Sequence, residues 1–541
     1  MGRVKAKISD DETAMTDLKP ANENPWYVLM TLYGEQTDFF DRGLHEANRR
    51  AWNAWVGKHL SDVEKNAAAK TCRIEVAELC AADEDDRWLK KLWHKAIRER
   101  LPSEVAKLIS FRPRSGISLS KTEFPKIVCL NGFAFPGRLG LQSSEFRSAL
   151  IVEDAWFKND VSGQFSYFRG EVLFNRCRMK ENFELTHGTF ERGLRVSDCT
   201  IDGLTRMDSC SFAEKVDCRN SVFNMDASFG DSEFQGTAIF WNCKFNLFGQ
   251  FIRAKFNGMA HFDGAEFHLY AQFISAQFSK TAWFNKVSFL GDADFGSSRF
   301  EDSVFFSNAT FSHGKASESP EEIEKVKEVR VDFSNAFFQY PTSFRGAVFE
   351  RSYPILIGTV MNDLTLFSAD ENCWPYESSQ DPSEAKEICG KIRHVVSKQG
   401  LPEDEHFFFR REMHFAGKIG SYWQRVPYRL FGLVSDYGRS IEKPLKLLLT
   451  TVVAPSGVFT AYLQTLEGSY NCLEAFHWVP AGLGMSFSNT FKFLGLQRLH
   501  FAEAFEEAGT AIHAVAGGQT VLGFVFLFFL GLGLRQRFRL R

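Results

Sequence analysis

The chain has 541 residues, 44% of them hydrophobic and 24% charged, with a formal net charge of −3. That length exceeds one ordinary domain, and the near-neutral balance excludes a global electrostatic pull toward nucleic acid. The cysteines stand at irregular spacing with no C-x-x-C pair, which excludes a zinc knuckle or a redox motif and fits reduced thiols.

Residues 1 to about 22 are polar and lack the apolar core of a signal peptide. After the segment NPWYVLMTLYGEQ, the residues Phe40, Leu44, Ala47, Ala51, Trp55 and Val56 recur near helical spacing. Further helical stretches are predicted over 61–81 and 84–100, stopped by Pro102. Residues 1–110 therefore read as a polar tail and a helical N-terminal domain.

From Phe124 the pattern changes. Phe251, Phe256, Phe262, Phe267, Phe273, Phe278, Phe284, Phe289, Phe295, Phe300, Phe306 and Phe311 return at alternating steps of five and six. Two residues before each stands something small or β-branched, such as Ala254, Ala260, Ala265, Val287 or Ser298. The register runs back to Phe124, with Cys218 at one centre and a single lapse at Gly163. On a helix these steps would turn successive rings by roughly 140° and 240°, so they would share no face. On a strand, positions i−2 and i point the same way. Each A-x-F unit is thus a short strand with two inward side chains, joined to the next by a corner rich in Asn, Gly, Ser and Asp. One such strand cannot bury its pair alone, whereas stacked coils can, which is the logic of a solenoid. Phe262 and Phe273 are expected inside adjoining faces of the rod.

This row resembles the pentapeptide-repeat family, whose unit carries a small residue two before a central Leu or Phe. The resemblance implies a right-handed quadrilateral β-helix with four units per coil. The extra residue in every second unit implies coils of about 22 residues, and the row Phe124–Phe311 implies about eight to nine coils and a rod on the order of 40 Å long. The helices before it would cap the open end of the rod, where unpaired ladder edges invite other chains.

A break follows Phe311. Ser319, Pro320 and Glu322 form a helix-start signature, so a helical excursion is predicted over 312–331. The register resumes at Phe333, Phe338, Phe344, Phe349 and Ile355, which extends the β-helix over 111–367. Asp381-Pro382-Ser383-Glu384 starts a helix with Ile388, Ile392, Val395 and Val396 on one face, and a second helix covers about Glu403–Lys418. This helical hairpin occupies 368–443. Glu412 and His414, two residues apart on a helix, face different ways and make no metal pair.

Residues 444–541 hold two apolar runs, Leu445–Leu466 and Ala511–Leu534, each long enough to cross a bilayer. Pro455 and Gly457 predict a kink in the first. Arg425, Arg429, Arg439, Lys443 and Lys446 precede the first run, and Arg535, Arg537, Arg539 and Arg541 follow the second. Only Lys492 and Arg498 carry positive charge between the runs. The positive-inside rule then places both termini and the β-helix in the cytoplasm. The connection GLGMSFSNTFKFLGL supplies a candidate pore loop with Ser486, Ser488, Asn489, Thr490 and Lys492. The helix–loop–helix plan resembles the two-span, ion-channel-like module of membrane-anchored pentapeptide-repeat proteins of the bacterial inner membrane. The loop departs from a potassium filter, which needs a TVGYG-like run, and Lys492 would repel cations in a lumen.

No catalytic constellation, metal cluster or cofactor motif appears in the sequence. The row Phe124–Phe311 carries 19 Lys or Arg against 22 Asp or Glu, so it is no DNA mimic and nucleic acid is not expected as a partner. The expected function is non-enzymatic: a membrane scaffold whose solenoid face binds a protein, with the lipid bilayer as its other partner. The alternative is a homo-oligomeric channel-like pore regulated by the β-helix.

Overall fold

The computed structural model describes residues 18–37, 39–80, 83–101, 113–114, 116–312, 329–466 and 475–538. The chain divides into two compact units. One comprises residues 1–380 and 391–405, and the other 381–390 and 406–541.

The first unit is a β-solenoid. Four parallel sheets of ten or eleven strands stack along it, so the chain makes about eleven turns. Numbered in the order in which a coil meets them, the sheets start at Ile117–Ser118 (sheet 1), Thr122–Phe124 (sheet 2), Val128–Cys129 (sheet 3) and Ala134–Phe135 (sheet 4). Sheet 2 also takes in Lys19–Pro20 at its leading edge. Between Ile117 and Phe311 successive strands of a sheet pair residues 22 positions apart, as between Lys255–Phe256 and Gln277–Phe278, and across the break after Phe311 the separation widens to 38, as between Ala293 and Val331.

The alternation of five and six steps has a backbone cause. Every five-residue corner in the row contains one left-handed residue, as at Arg253, Gly264, Ser275, Lys286, Ser297 and Asn308 (φ between 55° and 68°). The six-residue corners take an extra residue in place of that tight turn. Left-handed backbone costs about 1–2 kcal/mol for a residue with a Cβ. Bonds between coils offset it: the Ser275 amide donates to the Gly296 carbonyl at 2.9 Å, and the Lys286 amide to Ser307 at 3.0 Å.

All twelve rings from Phe251 to Phe311 are buried. Along each sheet they stack face to face, as in Phe240–Phe262–Phe284 with centroids 5.0 and 4.9 Å apart. Phe262 and Phe273 do not occupy adjoining faces. They lie two units apart, half a coil, on the opposed sheets 3 and 1, and meet edge to face at 5.2 Å and 89°. The interior is therefore a zipper, with stacks along the rod and T-shaped contacts across it, the two arrangements that the ring quadrupole favours.

The small residues at i−2 leave room for these rings, and polar ones such as Ser232 and Cys243 find backbone partners, whereas the hydroxyls of Thr205, Thr342 and Thr365 are buried without one among the described residues. Ser232 Oγ donates to the Met207 carbonyl at 2.6 Å and Cys243 Sγ to that of Cys218 at 2.8 Å. Burial pushes the thiols of Cys129 and Cys210 up to about 12, which keeps both protonated and inert at neutral pH. Where Gly163 interrupts the row, Leu185 and Leu141 close in on the missing side chain.

The leading end is covered by four helices: α1 (Pro25–Met30), α2 (Arg42–Gly57), α3 (Asp62–Cys72) and α4 (Asp83–Arg100). Trp52 lies against Phe133 and Phe135, and its Nε1 donates to the Ala134 carbonyl at 2.8 Å. Asn53 Nδ2 donates to the Gly132 carbonyl at 2.9 Å while its Oδ1 accepts from the Ala134 amide at 3.0 Å. The predicted helix over 61–81 is shorter than its sequence pattern. It ends at Arg73, whose φ is 54°, and a 3-10 turn, Val76–Leu79, then seats against Gly57, where any side chain would overlap the Leu79 carbonyl. The far end is closed by Trp374, stacked on Phe349 at 4.8 Å, and by the second half of α5 (Pro382–Lys398), whose Lys391 Nζ donates to the Leu356 carbonyl at 2.8 Å. The excursion predicted over 312–331 lies outside the described residues except at its ends.

The second unit is helical. After α6 (Pro402–Ala416) come α7 (Tyr422–Ser435), α8 (Glu442–Leu466), α9 (Ala475–Thr490), the short α10 (Leu496–His500) and α11 (Ala502–Glu506), and α12 (Thr510–Phe538). Helices α8 and α12 are long and apolar enough to cross a membrane. Only 33% and 17% of their most apolar windows are buried within the chain, unlike the core helices of a soluble domain. Helix α8 continues through Pro455 and Gly457.

Candidate functional site

Because the solenoid interior is filled, its chemistry toward other molecules resides on the outside, at the middle residue of each A-x-F unit. On sheet 3 these middle positions repeat every 22 residues as Ile239, His261, Trp283 and Phe305. Strand pairing brings them into one column. The His261 and Trp283 rings stack at 4.2 Å and 1°, and Trp283 and Phe305 at 6.4 Å. All four are half-buried, and Trp241 and Met259 stand beside them 52% and 47% exposed. Polar groups flank the column: His261 Nδ1 lies 3.6 Å from Asp263, to which Asn285 donates at 2.8 Å. An aromatic, weakly charged strip with a polar border is the composition of a protein-contact surface. The spacing of 22 marked these residues in the sequence, but attention to the inward positions passed over them.

In the second unit the sequence-predicted pore loop is not a loop. Ser486, Ser488, Asn489 and Thr490 form the last turns of α9, and all four side chains are buried. They do not line a channel within one chain; they are consumed in a polar knot. Gln519 of α12 is its hub. Its Nε2 donates to the Thr451 carbonyl of α8 at 2.9 Å and shares its second proton between Ser486 Oγ at 2.6 Å and Thr490 Oγ1 at 2.8 Å, and its Oε1 accepts from Asn489 Nδ2 at 2.9 Å. Ser486 Oγ donates in turn to the Val452 carbonyl at 2.6 Å. Ser488 Oγ bonds within α9, to the Met485 carbonyl. The knot is sandwiched between two apolar clusters, Phe459–Leu463–Met485–Phe505–Ala516 on one side and Val434–Leu448–Phe526 on the other.

Glycines allow these helices to approach. A side chain at Gly482 would overlap Thr460 of α8, and one at Gly523 would stand 2.8 Å from the Thr490 carbonyl. Lys492 stays outside the knot, exposed on a 3-10 turn, Lys492–Leu494. Arg535 and Arg537 lie exposed on the last turn of α12, while Arg539 and Arg541 fall outside the described residues. Gln519, the residue the sequence reading missed, had one signal: it is the lone carboxamide in the apolar run 511–534.

No protein family, curated protein or solved structure matches this chain.

Proposed function

We propose that the chain is a membrane-anchored scaffold of the pentapeptide-repeat type, without catalytic activity, in a bacterial inner membrane. Helices α8 and α12 cross the bilayer, both termini and the solenoid are cytoplasmic, and the column Ile239–His261–Trp283–Phe305 is the face offered to a protein partner. One observation carries this reading. The repeats spend their inward positions on a dry ring zipper, which leaves the rod a surface for contact and no interior for a substrate.

A second reading rests on α9. Its 16 residues are too few for a full crossing, yet it packs between two spanning helices and ends at the exposed turn around Lys492. In a homo-oligomer such turns could gather round an axis, making a pore that the solenoid regulates. The two readings part on copy number and flux. Mass measurement of the full chain in nanodiscs together with ion flux in reconstituted vesicles tests them. One copy per disc and flux at the level of empty liposomes support the scaffold. A ring of copies with flux altered by Lys492→Glu would replace it with the pore.

A further inference from the structure

Helix α7 carries more apolar surface than the second unit covers. Around its axis the residues Tyr422, Leu433, Val426, Leu430, Trp423, Val434, Pro427 and Phe431 fill one continuous half, by the 100° advance of a helix. One edge of that half is packed. Phe431 stacks on Phe529 of α12 at 5.6 Å, and Val434 joins Leu448 and Phe526 in an apolar cluster. Most of the rest is bare: Trp423 is 79% exposed, Leu433 72% and Leu430 52%, with Val426 half-buried among them.

The bare strip has a charged margin. Arg425 and Arg429 follow it on the next row of the helix; Arg425 Nε donates to the Gly420 carbonyl at 2.7 Å, and Arg429 has no partner among the described residues. The helix end is fixed at one rim of the spanning pair. Asp436 caps it in a left-handed turn (φ 50°), and Gly438 lies against Leu532 and Gln536 near the end of α12. At that rim Lys443, Arg535 and Arg537 are exposed, while Glu442 is paired with Lys446 and Asp436 with Arg410. The rim is thus rich in cations without a carboxylate partner among the described residues, beside an apolar strip. A soluble protein partner would meet that strip with its own desolvation cost. A bilayer whose edge is already set by α8 and α12 meets it at once.

We propose that α7 is an interfacial anchor: Trp423, Leu430 and Leu433 enter the acyl boundary, and Arg425 and Arg429 hold the phosphates of anionic phospholipids. The arginine stems lie along the apolar surface while the guanidinium groups reach the headgroups. Cations at such a boundary enrich anionic lipid by on the order of fivefold each. This inference rests on the reading that α8 and α12 cross the bilayer.

The test uses the full chain in nanodiscs of neutral phosphatidylcholine with a minor fraction of anionic phosphatidylglycerol, with brominated acyl chains on one lipid or the other. Subtracting the emission of Trp423→Phe isolates Trp423. Its quenching should be greater when the bromines are on the anionic lipid, by on the order of fivefold per arginine after correction for mole fraction. Arg425→Glu with Arg429→Glu should abolish the excess, and Lys at both positions should restore it. Phe524→Trp on α12, in the Trp423→Phe background, controls for the span. If that tryptophan is quenched and Trp423 is not, the anchor is refuted and the spans stand; if neither is quenched, the membrane reading fails with it. Equal quenching from both lipids, unchanged by the glutamates, would overturn the anionic preference. A disc holding two copies that Leu433→Glu separates would assign the strip to a second chain instead.

Discussion

Phe262 is the most informative single position in the solenoid. Its ring is fully buried, stacked between Phe240 and Phe284 at 5.0 and 4.9 Å, and met edge-on by Phe251 and Phe273 at 5.2 Å each. Phe262→Ala removes the ring and leaves a cavity with rigid aromatic walls, at a cost of ~3–5 kcal/mol. In population terms that is roughly a hundred- to several-thousand-fold rise in the opened coil. Because each coil touches only its neighbours, the loss stays local. Phe262→Leu keeps most of the volume and should cost about 1 kcal/mol. Phe262→Asp puts a carboxylate among four rings with no partner and should open the coil outright. Ala260→Phe should overpack the same coil, since Ala260 is fully buried two residues earlier. Asn257, whose Nδ2 reaches Gln235 Oε1 at 3.1 Å on the surface, should tolerate Asp within about 0.5 kcal/mol. Limited proteolysis read by mass spectrometry gives the pattern, with new cuts confined to coils near residue 262. Equal opening by Asn257→Asp and Phe262→Asp would refute the zipper.

Three further outcomes follow. Gln519→Leu deletes the hub amide, strands the Thr451 carbonyl and leaves the Asn489 amide only its bond to the Ala516 carbonyl, so the helical unit should lose ~1–3 kcal/mol by thermal unfolding in detergent, with the solenoid unchanged. Burial lowers the pKa of His45, opposed by its bond to the Asn131 carbonyl at 3.0 Å, so the unfolded chain binds the proton more readily than the folded one. The contribution of His45 is then present above its unfolded value of 6.5 and is lost as pH falls through the folded value; hydrogen exchange of α2 should rise in that window, and His45→Gln should flatten the dependence. A topology reporter fused after Arg541 should read cytoplasmic and one inserted at 467 external; an external reading after Arg541 would reject the two-span arrangement.

The solenoid was legible because one physical demand, burial of an inward pair, recurs at every unit and leaves the same mark each time. Even the corner geometry was visible as the fifth-or-sixth alternation, although its cause, a left-handed residue at Arg253 or Ser275, was not. Facing was harder. Sequence spacing shows that Phe262 and Phe273 are both inward, but only the closure of four sides makes them opposed. The polar knot left no periodic mark at all. Thr451, Ser486, Asn489 and Gln519 belong to three helices, and nothing local tells a serine in a pore from a serine bonded to a neighbouring carbonyl. The short helix α11 likewise depends on packing, through the bond from Tyr462 Oη to the Ala504 carbonyl at 2.7 Å.

One chain, closed on its own polar knot, is proposed to anchor the solenoid in the bilayer. A structure of the full chain in lipid nanodiscs tests it most directly, by resolving Ser486–Leu496. A single copy is expected, with Ser486, Asn489 and Thr490 bonded to Gln519 and Lys492 pointing away from any axis. Several copies with these segments converging on a central conduit, and the Gln519 bonds broken, would contradict it.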